Sequence, residues 1–462
     1  MGYGSLEYSY EYGFGHYSRA NRGELGEALD DHRAEVAAWR RDPSEAPNLM
    51  SGLLEVASNP QMMMLAWEEL SGRGEKAPGP DGFRYSDFQS SSKIWSALRE
   101  ISAELRDGEF RRGPLRKVKV PKFGKDGHRV IHIPNIATNV VSRSVLETVQ
   151  PIIDPDFHPL SVGFRPKRDR SHGLAAAEHL VRACGLTCWL TFDLKQAFDQ
   201  IPRQRLMQIV LQRLDGSPIC GLIKQLVSGS GKKGIPQGFP TSPMLMNLYV
   251  DHFFDRKWAK LTDCPLIRYA DDFLLLCRSP EQAQELFAEA SDLLRVSGFQ
   301  IKESFSEAFH NLADGDAAEW LGFRVTPGGD GGLEFGLADK SWWRLQESFG
   351  KCGAKEAPQE RASAVGYGWI SANAIAIEEE QLSTVIRRIE ETASTYGFDE
   401  IQIRGMADKA WQGGLEAWRR FREEAVSWVA ESESDCESSQ WRGKREQEFA
   451  TTTGRSVIAP VP

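Results

Sequence analysis

The chain has 462 residues, of which 41% are hydrophobic and 26% charged, and its formal net charge is 56 − 65 = −9. These ordinary proportions exclude collagen-like, mucin-like and wholly disordered chains, and with no run of eighteen apolar residues no membrane span is expected. The length suits about three modules. The seven cysteines are an odd number with no metal-ligand spacing, so they read as reduced thiols of a cytoplasmic protein.

Residues 1–25 are rich in Gly and Tyr, lack any period, and read as an arm; they show no secretory signal. Helical periodicity covers 24–67, a Gly/Pro loop 76–83 and a further helix 86–107. The alternating VKVPKF…HRVIHIP, 118–134, predicts a hairpin turning at 124–127, followed by a helix over 135–153. CWLTFDL, 188–194, predicts a buried strand that enters a polar turn and a helix from Arg203. A long amphipathic helix is predicted over 240–258, then a strand–turn–strand in LIRYADDFLLLC, and a helix over 280–296. WLGFRV and GGLEFGL are short strands around the turn 326–332. From about 339 the pattern is helical, fraying after about 445. Strands gathered in one central sheet, with helices segregated from them, make an α+β fold.

The negative charge is unevenly spread. Between 111 and 129 stand Arg111, Arg112, Arg116, Lys117, Lys119, Lys122, Lys125 and Arg129 against the single acid Asp126, and a second basic cluster, RPKRDR, covers 165–170. Basic strips on an acidic body suit a protein that grips a phosphate backbone in a groove; solvated charged faces are the plain alternative.

The sharpest local signal is Tyr269-Ala270-Asp271-Asp272, two acids at the tip of an apolar hairpin, where unpaired carboxylates repel each other and lose hydration. A divalent cation removes that cost. Asp193 ends another apolar strand at its junction with a loop. If the fold brings Asp193 to Asp271, the pair can hold two magnesium ions roughly 4 Å apart. Asp199, behind Phe198 at a helix start, reads as a cap or salt-bridge partner.

FDxxxxFD around Asp193 and YADD at 269–272 resemble motifs A and C of the reverse transcriptases, and GIPQGFPTSPMLMNLYV, 234–250, resembles motif B. APGPDG at 77–82, VKVPKFGKDGHRVIHIP and SVGFRPKRDRSHGL resemble the fingers of group II intron and other bacterial enzymes, and WLGFRV resembles the primer-grip strand. The resemblance spans about 77–325. It implies a right-hand polymerase: an N-terminal arm and helical segment (1–75), fingers (76–180), a palm of antiparallel sheet plus helices (181–335), a helical thumb and C-terminal extension (336–445) and a tail (446–462).

The resemblance also implies roles. Asp193, Asp271 and Asp272 are the catalytic and metal-binding acids, for two Mg2+ that Mn2+ can replace. Arg129 clamps the triphosphate with help from Lys122. Phe198 is the gate against a ribose 2′-hydroxyl, and Gln237 and Gly238 flank the incoming nucleotide. Arg111, Arg112, Arg116, Lys119, Arg165, Lys167 and Arg168 are the expected nucleic-acid contacts. The implied partners are an RNA template, a DNA or RNA primer and deoxynucleoside triphosphates, with room for a cognate structured RNA and none for a membrane.

Two departures stand out: Gly238 is followed by Phe239-Pro240, closer to retron and antiphage-defence enzymes, and Lys302 lies three positions ahead of Phe305, which takes the place of the usual motif D lysine. The resemblance implies a free-standing bacterial RNA-directed DNA polymerase working by two-metal-ion nucleotidyl transfer; the alternatives are a defence enzyme making untemplated or protein-primed DNA and a non-catalytic RNA-binding maturase-like protein, the last opposed by the intact Asp193, Asp271 and Asp272.

Overall fold

In the computed structural model the described residues are 26–72, 78–121, 127–353 and 357–437, with side chains of the last stretch described to 432. The arm, Lys122, Lys125, Asp126 and the tail lie outside them. The predicted N-terminal helix is three, Glu27–Arg41, Leu49–Ser58 and Pro60–Gly72, broken at Pro43 and Pro60, where proline starts a new helical segment.

The expected single sheet is three. A basic hairpin pairs β1 (Arg116–Pro121) with β2 (His128–Ile133). The central sheet holds β3 (Cys188–Asp193), β4 (Leu266–Tyr269), β5 (Asp272–Cys277) and β6 (Phe309–Asn311) in the order β4-β5-β3-β6, every pair antiparallel. A third sheet joins β7 (Ala318–Trp320), β8 (Phe323–Pro327) and β9 (Leu333–Leu337). Helices cover the central sheet, and β7 of the third sheet also approaches β3. Helix Pro280–Ser297 is such a cover: Ser279 caps its start, Gly298 ends it at φ 97°, and Leu286, Ala290 and Leu294 line its buried stripe.

The predicted amphipathic helix over 240–258 is buried on every side from Thr241 to Val250 and passes through a wider π turn, Asp251–Asp255, before Arg256–Leu261. A helix apolar all round belongs in an interior. Its polar residues serve the neighbouring hairpin. Arg268 of β4 and Asp255 are both 0% exposed and are paired at 2.5 Å, while Arg268 also donates to Asn247 Oδ1 (2.8 Å) and to the Ala270 carbonyl (2.9 Å). Asn247 in turn donates to the Gly163 carbonyl at 2.7 Å. Gly163 lies against the β4–β5 turn so closely that a Cβ there would stand 2.3 Å from Ala270 N, a contact only glycine permits.

A second core, built from Trp342, Leu345, Phe349, Trp369, Ile389 and Ile403, holds the C-terminal helices together. The last of them, Arg404–Glu437, runs back to helix Arg170–Cys184. There Glu424 meets His172 at 3.0 Å and Arg422 meets Glu178 at 3.1 Å, and Ala425 and Val429 enter the first core, the one that holds Trp189, Leu190 and Phe273 of the central sheet. None of the described helices is long and apolar enough to cross a membrane.

Breaking the buried pair leaves a desolvated guanidinium. Asp255→Ala should therefore cost about 3–5 kcal/mol of folding free energy, read by urea denaturation; an unchanged midpoint would contradict the structural role given to the pair.

Candidate active site

Strand register decides where the acids meet. Asp193, the last residue of β3, sits directly across from Asp272, the first residue of β5. The β4–β5 turn consists of Ala270 and Asp271 alone, since Tyr269 pairs with Asp272. Ala270 carries the positive φ (59°) that so short a hairpin needs, held by Arg268 at its carbonyl. The Asp271 carbonyl accepts from Leu194 N at 3.2 Å, so the turn is tied to β3 as well. All three carboxylates are thus gathered at one end of the sheet.

Their charges conflict. Burial first, then the charges of Asp193 and Asp272, push the Asp271 carboxyl up to about 8. Asp272 is also raised, by burial, against the opposing pull of Lys340, Arg344 and Lys302. Lys302 Nζ contacts Asp193 Oδ2, Lys302 N donates to the Asp193 carbonyl at 2.9 Å, and Glu303 Oε2 accepts from Asp193 N at 2.8 Å. Burial lowers the Lys302 ammonium, but its contact with Asp193 and the surrounding acids outweigh this and raise it.

Among the described residues no three His, Cys, Asp or Glu side chains form a ready-made metal cage; Asp193 is instead turned to Lys302. The fit to a divalent cation rests on Asp193 Oδ1, buried with no hydrogen-bond donor among the described residues, beside an Asp271 carboxyl that burial and the neighbouring acids push up. Oxygen-only ligands of this kind suit Mg2+ or Mn2+.

The other expected site residues separate into groups. Phe198 is half-buried in the short helix Ala197–Gln200, and its carbonyl accepts from Ile235 N at 2.9 Å, which links it to the 234–240 loop. Gln237 O accepts from His132 N at 2.7 Å. A Cβ on Gly238 would stand 2.7 Å from the His132 carbonyl, so this glycine lets the loop lie against β2. Arg129 and Lys119 are exposed on β2 and β1, and Arg116 and Arg112 are half-buried. Arg111 is exposed, and its guanidinium donates to the Gly108 and Phe110 carbonyls.

The RPKRDR cluster departs from expectation. Arg165 is 3% exposed and spends its guanidinium on Asp154 and on the carbonyls of His158 and Ser161, so it offers nothing to a phosphate backbone. Arg168 lies 4.0 Å over the Trp428 ring; burial and the Arg165 charge pull it down to about 9. Lys167 alone of the three is exposed. Asp199 neither caps its helix nor joins an ion pair among the described residues, and its side chain is exposed.

Sequence reasoning passed over Glu303, Lys340, Arg344, Arg268, Asn247 and Asp255. Of these only Arg268 carried a signal, a charge inside the apolar run leading into YADD that must find a buried partner. Lys340 and Arg344 carried none, because their proximity to Asp272 exists only in the folded chain.

Residues 120–325 match the family model described as reverse transcriptase (RNA-dependent DNA polymerase). This stretch is similar to the reverse transcriptases. Over 240 residues it is 30% identical to Protein YkfC of Escherichia coli (strain K12), covering 49% of this chain and 61% of that protein. Over 213 residues it is 26% identical to Group II intron-encoded protein LtrA of Lactococcus lactis subsp. cremoris, covering 43% and 33%. The chain therefore spans less than two thirds of these relatives. Telomerase from Candida albicans in complex with a TWJ fragment of telomeric RNA superposes with a TM-score of 0.39 at 13% identity, covering 76% of this chain and 68% of that one. The matched span contains all three acids, Phe198 and the Gln237–Gly238 loop.

The raised Asp271 pKa has a definite sign for stability. The folded state binds this proton more tightly than an unfolded chain does, so the contribution is present below about pH 4 and is lost as pH rises toward about 8. Asp271→Asn should accordingly raise the melting temperature of metal-free protein by a few degrees at pH 8, with the difference vanishing near pH 4. Mg2+ at pH 8 should raise the wild-type value and move the variant much less. Melts followed by circular dichroism check both; a variant less stable than wild type at pH 8 would contradict the crowding.

Proposed function

We propose that the chain is an RNA-directed DNA polymerase that adds deoxynucleotides to a primer on an RNA template. The observation that carries the reading is the Asp193–Asp272 register with Asp271 in the adjoining turn, inside the stretch similar to the reverse transcriptases. In this reading 76–180 are the fingers, 181–335 the palm and 336–445 the thumb and C-terminal extension.

Asp193 and Asp271, with Asp272 beside them, would hold two divalent ions, which supply activation of the primer hydroxyl and charge neutralisation at the departing pyrophosphate. The chain's own groups do the remainder. Asp193 is fixed by Glu303 at its amide and by pairing of its strand with β5, so its carboxylate needs little reorganisation when the ions arrive. Lys302 balances its charge until then. Arg129 contacts the triphosphate with the two-pronged geometry that lysine lacks, and Lys122 assists. Phe198 meets a ribose 2′-hydroxyl, while Gln237 and Gly238 line the nucleotide's other side. Arg111, Arg116, Lys119 and Lys167 are available along the nucleic-acid track, and Lys340 and Arg344 approach Asp272 from the thumb.

Primer extension tests this directly. Asp271→Asn should reduce nucleotide addition on a primed RNA template by at least about a thousandfold while duplex binding persists; substantial extension by this variant would defeat the site assignment. Phe198→Ala should admit ribonucleotides while deoxynucleotide addition stays measurable, because a clash and not chemistry sets that choice. A folded variant that still rejects ribonucleotides would remove Phe198 from that role. For Arg129→Ala the expected change is a higher Michaelis constant for nucleotide at nearly constant duplex affinity.

A further inference from the structure

At the foot of the β1–β2 hairpin, buried side-chain nitrogens of Arg112 and His132 lack acceptors among the described residues. Arg112 is pinned by its backbone: its N–H donates to Gln225 Oε1 at 2.7 Å, and the Gln225 amide donates to the Phe110 carbonyl at 3.1 Å. Helix Ile219–Leu226 thereby fixes where the guanidinium emerges. The Nε and Nη1 of Arg112 are nevertheless buried with no acceptor among the described residues, and so is Nδ1 of His132. Lys117 stands directly across from His132 in the β1–β2 register, so the two side chains share a face. Burial, then the charge of Lys117, with Arg112 adding to it, lowers His132, and the exposed Asp199 is the acid that opposes them. A half-buried guanidinium beside an ammonium and an imidazole, with no carboxylate bonded to it, is a site awaiting an anion.

Strand alternation indicates which anion. Lys117, Lys119, Val130 and His132 occupy one face of the hairpin, and Arg129 and Arg116 occupy the other. The triphosphate assigned to Arg129 therefore lies across the hairpin from this cluster. Lys119, next along the same face as Lys117 and exposed, continues the cationic row toward the hairpin tip.

We propose that Arg112, Lys117 and His132 form a phosphate site for one phosphodiester of a bound nucleic-acid strand, separate from the nucleotide's triphosphate. The Arg112 fork takes the non-bridging oxygens, Lys117 supplies charge, and His132 donates from its ring nitrogen. The site rests on the reading that the chain binds nucleic acid, and it does not depend on catalysis.

The test uses the full chain without divalent metal or nucleotide. Fluorescence anisotropy of a labelled DNA primer on an RNA template, titrated at several salt concentrations, is compared for wild type, Arg112→Gln, Lys117→Gln and Arg129→Gln. The expected result is severalfold weaker binding for Arg112→Gln and for Lys117→Gln, each with the slope of log affinity against log salt reduced by at most about 0.9, and near-wild-type values for Arg129→Gln. Because Lys117 is exposed, its variant keeps the test decisive should Arg112→Gln fail to fold. A parallel titration with a labelled deoxynucleoside triphosphate separates the two sources of phosphate. Loss of nucleotide binding with unchanged duplex binding would overturn the strand assignment, as would unchanged slopes in both cluster variants or a wild type that binds no duplex. A wild type that binds in this manner yet extends no primer would leave the phosphate site standing and defeat the polymerase reading.

Discussion

Asp193 and Asp272 face each other across two hydrogen-bonded strands, and that register is the constraint around which the molecule is arranged. A shift of one residue would turn every side chain of β3 to the other face, so the apolar residues Trp189, Leu190 and Phe192 that bury the strand also fix the position of its terminal acid. The two-residue turn then leaves Asp271 no place except beside the other two. Like charges are forced together by packing they did not choose.

Compensation for this comes from two directions. Behind the turn, Arg268, Asp255, Asn247 and Gly163 form a buried polar support that holds the strained Ala270 backbone. Such a network is costly to desolvate and strongly destabilising to break, which makes it a device for position more than for stability. In front, Lys302 sits on Asp193, and Lys340 and Arg344 lower the burden on Asp272 from the first turns of helix Asp339–Cys352. The C-terminal helices thus reach the acids electrostatically. They are held there by Arg404–Glu437, whose return to helix Arg170–Cys184 joins the second core to the first.

Much of this was legible in the sequence because local pattern and tertiary role coincide. LIRYADDFLLLC gives its hairpin and CWLTFD its strand by apolar runs that end at acids, and capped segments such as Ser279–Gly298 announce their own limits. The helix after the 234–240 loop was misjudged as amphipathic because Asn247, Asp251 and Asp255 look like a wet face; they are polar residues facing buried partners. The RPKRDR run misled for the same reason: charge density in a sequence does not tell a solvated arginine from one, like Arg165, enclosed by Asp154 and carbonyls. Lys302 was visible but stood out of register with its expected motif, and only the pairing of 300–302 beside 193–195 brings it to Asp193.

In the proposed function the three acids receive divalent cations. Anomalous diffraction from crystals grown with Mn2+, a primer–template and a non-extending nucleotide tests it most directly. Anomalous peaks are expected within ligand distance of Asp193 and Asp271, with Lys302 Nζ displaced from Asp193 Oδ2. Crystals in which the nucleotide is bound, Lys302 remains on Asp193 and no peak lies between the carboxylates would contradict it.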